Sequence, residues 1–206
     1  MKTEIRHPEW ITLSIDGKPF YGYDQDWYHQ DRQILAGCGP TTAAVLASYL
    51  ERKEKGIATD TKEAALARME VTWTYVTPRM RGLYKTHWFQ EGFETYLKDK
   101  NLTGRVDIFT VRPFHILTPS PEKTAAFLTE GLAADCPIAF LNRDNGGEDI
   151  FSWHWVPLAA IEENEGDWTC TIWDEGKQIP FSLRNWLKNT SYGGGFVRVT
   201  GTDKKA

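Results

Sequence analysis

The 206-residue chain reads as an α+β fold, a helical N-terminal part packed on a C-terminal antiparallel sheet, and three features predict it. Apolar residues recur at helical spacing through most of the first hundred positions. From Arg105 onward they alternate with polar ones at the period of strands. The gaps between most of the later strand segments are of hairpin length, too short for the crossover that a parallel pair requires.

Trp10 to Ile15 alternates apolar and polar, Asp16-Gly17 is a strong turn signal, and Phe20-Tyr21-Gly22-Tyr23 can return, so the chain opens with a hairpin. Residues 24–36 are polar and read as a loop. From Gly39-Pro40, residues 41–54 carry Ala43, Ala44, Val45, Leu46, Ala47, Tyr49 and Leu50 on nearly every side, the mark of a helix buried around most of its circumference. Further helices are expected over residues 61–70, over 87–100 with Phe89, Phe93, Tyr96 and Leu97 on one face, and over 121–134 with Pro121 in the first turn. Residues 106–111, 137–141, 150–161, 168–173 and 195–199 read as strands. Neither repeat nor linker divides the chain, so a single domain over residues 1–201 is expected, followed by a polar tail at 202–206.

Composition removes several classes of function. The content is 41% hydrophobic and 13% aromatic, which suits a packed core. The net charge of −4 offers no basic surface for nucleic acid. No apolar run approaches the roughly 20 residues of a membrane span, and the N-terminus lacks the apolar core of a secretory signal, so a soluble, cytoplasmic chain is expected. The five histidines, His7, His29, His87, His115 and His154, and the three cysteines lack zinc-ligand spacing, and there is no phosphate-binding GxxxxGK[ST] motif, so no metal and no cofactor are expected. Asn145-Gly146-Gly147 and Gly193-Gly194-Gly195 read as turns.

Three cysteines at wide spacings fit no disulfide framework, which leaves room for a working thiol. Cys38, between Gly37 and Gly39, stands at the start of the buried helix, where free N–H groups and the helix dipole favour a thiolate. Cys136 and Cys170 lie within strand patterns and read as core thiols. A cysteine nucleophile needs a base, and His154 is in a strand, with Phe151, Trp153 and Trp155 expected on the opposite face. A hairpin turning at about residues 162–167, centred on Asn164, would set Asp174 directly across from His154, with Cβ atoms about 4.5–5.5 Å apart. A half-residue shift would set Glu175 there instead. Trp27, Trp88, Trp153 and Trp155 are candidates to line a cleft, residues 142–149 form a covering loop or a plain turn, and His87 reads as a surface or capping residue.

Gln33, Cys38-Gly39-Pro40-Thr41, His154-Trp155-Val156 and Trp173-Asp174-Glu175 stand in the chain order of the papain-like cysteine peptidases. In particular they resemble the bacteriocin-processing double-glycine leader peptidases and their stand-alone relatives, a bacterial group. The strand Cys136-Pro137-Ile138-Ala139-Phe140-Leu141 is similar to the one preceding that family's histidine hairpin, so the resemblance spans roughly residues 33–187. It implies a papain-like cysteine proteinase fold and a peptide or amide substrate cleaved through a thioester. Cys38 would be the nucleophile, His154 the acid and base, and Asp174 its orienting partner. Gln33, or the nearby Gln30, would join the Cys38 N–H in stabilising the oxyanion. Two other readings share these residues: a papain-like binding module that has lost turnover, and an acyltransferase using the same triad.

Overall fold

The structure, a computed structural model, describes residues 1–201; the expected tail at 202–206 lies outside the described residues. The chain opens with strand β1 (Lys2–Glu4) and the hairpin of β2 (Thr12–Ile15) and β3 (Lys18–Tyr21), which turns at Asp16-Gly17. Helices α1 (Asp31–Ala36), α2 (Cys38–Lys55), α3 (Lys62–Tyr75) and α4 (Thr86–Asp99) follow. Strand β4 (Arg105–Val111) leads to α5 (Pro121–Ala133), which Ser120 caps by accepting the Lys123 N–H. The remainder is β5 (Ile138–Asn142), β6 (His154–Asn164), β7 (Asp167–Asp174), β8 (Lys177–Ser182), α6 (Leu183–Asn189) and β9 (Gly194–Thr200).

The main sheet is antiparallel in the order β4-β9-β5-β6-β7-β8, and β1 pairs with β6 beyond the end of β5. The expected α+β architecture therefore stands. Helix α2 is buried from Gly39 through Glu51, as its all-round apolar sequence predicts. Alternation along the strands feeds two cores. Ala139, Leu141, Trp155, Val197 and Val199 pack with Leu46, Leu50, Phe89 and Phe93. Ile138, Phe140, Val156, Leu158 and Phe196 pack with Leu128, Leu132 and Trp186. Each such large apolar side chain contributes about 1.5–3 kcal/mol by leaving water.

Several details differ from the sequence reading, beginning with strand β1, which precedes the expected opening hairpin. Residues 24–36 are not all loop, because α1 forms within them. Helix α3 runs on to Tyr75 rather than ending at residue 70, with Thr61 accepting the Ala64 N–H at its start. Strand β8 and helix α6 were not expected: β8 includes Pro180 at the free edge of the sheet, a position where proline is tolerated. Strand β6 starts at His154, not at residue 150. Trp153 is in the left-handed region at φ 56°, so the chain before it leaves the ladder. Phe151 and Trp153 are consequently 58% and 59% exposed while Trp155 is 2% exposed, and the three do not form one strand face.

Candidate active site

Cys38 is the first residue of α2, so its N–H and that of Gly39 have no partner within the helix. Gly37 joins α1 to α2 with helical angles, and the Thr41 N–H already bonds its carbonyl. Space is tight at both flanking glycines. A Cβ at Gly37 would come within 2.3 Å of the Gln33 carbonyl oxygen and 2.7 Å of the Tyr28 ring, and one at Gly39 within 2.6 Å of Leu83 Cδ2. The cysteine is thus held between two points of close packing.

His154 opens β6 and Asp174 ends β7. Their meeting depends on the hairpin, and it comes about differently from the expected symmetry around Asn164. The turn is the two-residue Glu165-Gly166, with φ of 51° and 82°, between the paired Asn164 and Asp167. Counted along the ladder from Ala160↔Thr171, Asp174 would fall opposite Pro157, three positions from His154 and on the other face. One extra residue, Ala159, bulges out of β6, and the pairing resumes at Leu158↔Ile172. Counted from there, Asp174 falls opposite Val156, a diagonal neighbour of His154 on the same face. The imidazole closes the remaining gap, with Nε2 2.9 Å from Asp174 Oδ1.

Cys38, which lines the same cleft, acts on this imidazole as well. Burial pulls the His154 pKa down, but the bond to Asp174, the bond to Cys38 and the charges of both outweigh it, and the pKa is pushed up to about 10. The Phe151 ring stands edge-on to the imidazole at 6.2 Å. Asp174 is 6% exposed, and its second oxygen, Oδ2, has no hydrogen-bond partner among the described residues.

Gln33 does not share this arrangement. It is buried, its amide donates to Glu70 at 2.7 Å, and it does not line the cleft around Cys38. Gln30 is exposed and precedes α1 without a side-chain bond. The glutamine in the cleft is Gln25, whose Nε2 donates to the Ile34 carbonyl at 2.9 Å and whose Oε1 is buried without a partner. Helix α1 separates Gln25 from Cys38 in sequence, so no short motif marks it.

Two depressions meet at Cys38. One, of about 190 Å³, is lined by Asp24, Gln25, Asp26, His154, Asp174 and Glu175 among others. The second, of about 270 Å³, is lined by Leu35, Met80, Leu83, Tyr84 and Trp153, with Arg81. Trp155 lines both, and its indole N–H donates to the Leu83 carbonyl. Trp27 is instead packed on Phe20 and Tyr23, and Trp88 stacks edge-on with Tyr84 under Arg79. His87 is exposed in the first turn of α4. Cys136 and Cys170 are fully buried, and burial pushes both thiols up, away from reactivity. The segment at 142–149 is tied down, because Asp144 accepts the Gly146 and Ser191 N–H groups and Glu148 accepts from Ser182 and Asn185. No group of three or more metal-ligating side chains occurs among the described residues, and no described helix is long and apolar enough to cross a membrane.

No family model matches the chain, and no curated protein matches it either. Among solved structures it is similar to UfSP from C. elegans, a papain-like cysteine protease, with a TM-score of 0.57 and 10% sequence identity. The match covers 97% of this chain and 34% of that one, so this chain spans about a third of the length of its structural neighbour.

Proposed function

The chain has the papain-like fold, and we propose that it is a thiol-dependent hydrolase of a peptide or amide bond. The observation that carries this reading is the single imidazole, in the cleft with Cys38, that bonds Asp174 and is acted on by the Cys38 side chain. An imidazolium beside the sulfur favours the thiolate, and the α2 N-terminus adds to that preference. The thiolate attacks the substrate carbonyl, forming an S–C bond. His154 gives its proton to the departing amine as the C–N bond breaks, which leaves a thioester. Water, deprotonated by His154, then attacks the thioester, and the sulfur departs as thiolate. Asp174 keeps the ring oriented and its charged form favoured.

The developing oxyanion needs donors about 2.7–3.1 Å away. The Cys38 N–H is one. For the side-chain donor we assign Gln25 in place of Gln33 or Gln30, because it lines the same cleft as Cys38 and its Nε2 keeps a second N–H beyond the one given to Ile34. The narrower kinship with double-glycine leader peptidases rests on the order of the motifs alone.

The test is alkylation of Cys38 by iodoacetamide at pH 6, followed by mass spectrometry, in wild type and in His154→Ala. Faster modification of wild type by about tenfold or more, with Cys136 and Cys170 untouched, is the expected result. Equal rates would sink the ion pair. A peptide-substrate screen then requires that Cys38→Ala abolish all turnover found.

A further inference from the structure

We propose that the substrate straddles Cys38 with opposite chemistries on its two sides: an apolar acyl segment before the scissile bond and a cationic leaving segment, such as a lysine or arginine side chain, after it. This rests on the hydrolase reading above.

Direction comes from His154. The departing nitrogen must come within hydrogen-bond reach of the imidazole that protonates it. His154 lines the acid-rich depression and is not among the residues of the apolar one. The leaving segment therefore enters the side of Asp24, Asp26, Asp174 and Glu175. The acyl segment is left with Leu35, Met80, Leu83, Tyr84 and Trp153, and Arg81 is the one charged residue among the described residues that line this side.

The acid-rich side is built to receive hydrogen-bond donors. The unpartnered Asp174 Oδ2 belongs to a side chain only 6% exposed, and Gln25 Oε1 is a second buried acceptor without a partner. Asp24 spends one oxygen on the Asp26 N–H, and burial, followed by the charges of Asp26 and Asp174, raises its pKa, as expected for crowded carboxylates that a cation would relieve. The positive charges near them are few. His154 is engaged by Cys38 and Asp174, and Lys62, which acts on Asp24, sits with its ammonium over the Trp27 ring at 5.2 Å. The acidic lining continues into the adjoining depression, which shares Phe151, Asp174 and Glu175 and adds the exposed Asp149, with Lys177 as its cation.

On the acyl side the exposure is of the opposite kind. Leu35 is 86% and Met80 97% exposed beside the nucleophile. Trp153 extends this surface through Tyr192, 5.7 Å away, to Phe114, a further 6.1 Å. Exposed apolar groups that adjoin a reactive centre mark a surface kept for binding.

The experiment compares quenched-fluorescent peptides of one sequence, with Leu before the scissile bond and Lys, Ala or Glu after it. Their affinity for Cys38→Ala is measured by fluorescence anisotropy, and their kcat/KM with wild type. The expected result is a preference for Lys over Glu of about tenfold or more in both assays, and a ratio that collapses towards one in Asp24→Lys. Replacing Leu by Lys, which this lining of apolar residues and Arg81 would reject, should weaken binding by a similar factor. Should Asp24→Lys fail to melt cooperatively, Glu175→Lys serves the same purpose. Hydrolysis or binding indifferent to the charge after the bond overturns this proposal and leaves the hydrolase reading intact. A preference for Lys in binding to Cys38→Ala without turnover by wild type overturns the hydrolase reading, leaving the cation-taking cleft.

Discussion

Cys38 and the imidazole proposed to act as its base are placed by different kinds of structure. Cys38 is set by contacts that are mostly close in sequence: Gly37 against Gln33 and Tyr28, and α2 beginning at the cysteine itself. His154 and Asp174 are twenty residues apart and meet through a strand ladder, a two-residue turn and one bulged alanine. A local device tolerates change elsewhere in the molecule. A register device fails whenever the count of residues between its parts changes, since a one-residue slip turns a side chain to the other face.

The largest effect should come from the register-built half. Asp174→Asn removes the foremost contribution that raises the His154 pKa, so the alkaline limb of turnover should fall from about 10 towards the ordinary histidine value of roughly 6.5. At pH 8.5 kcat should drop by about 10²–10⁴, the range for loss of general acid–base catalysis. Stability follows with a definite sign. The folded state holds the His154 proton more tightly than the unfolded chain does, so this contribution is fully present below about pH 6.5 and disappears as the pH rises through about 10. The Tm advantage of wild type over His154→Gln should therefore shrink across that window. An advantage constant from pH 6 to 10 would mean that the imidazole is not held charged.

An intermediate effect separates the two glutamines. Gln25→Ala removes an amide in the cleft and should lower kcat by about 10²–10³ with little change in KM, as loss of an oxyanion donor does. Gln33→Ala leaves Glu70 without its 2.7 Å donor and should act on stability, by about 1 kcal/mol, with kcat preserved. The reverse pattern in steady-state kinetics and denaturant melts would return the oxyanion role to Gln33.

The sequence made the same division visible. Gly-Cys-Gly-Pro followed by an all-round apolar helix could be read directly, because burial and helix start are written within a few residues. The α+β order was legible for the same reason, since periodicity is local. That His154 and Asp174 share a face was inferred from a turn centred on Asn164, whereas the chain turns at Glu165-Gly166 and Ala159 restores the alternation. Nothing in Leu158-Ala159-Ala160 announces a bulge. Gln25 was overlooked because α1 intervenes between it and Cys38. The short β8 and α6 are hard to read from sequence, since Pro180 interrupts the donor pattern of a strand and α6 has only seven residues.

The smallest effects sharpen the local half. Alanine is worth about 1 kcal/mol over glycine within a helix, so a Gly→Ala change at an uncrowded helical site would stabilise. At Gly39 the new methyl meets the tip of the Leu83 side chain, which can turn aside at a cost comparable to that gain. Gly39→Ala should therefore leave Tm nearly unchanged. At Gly37 the obstacle is the Gln33 carbonyl of the main chain together with the Tyr28 ring, whose hydroxyl is fixed to the Met69 carbonyl at 3.0 Å. Neither can yield without moving α1 against α2, so Gly37→Ala should cost about 1–3 kcal/mol in a urea melt and displace Cys38 from the imidazole. If the two variants melt alike, close packing is not what seats Cys38, and the helix start alone must do so.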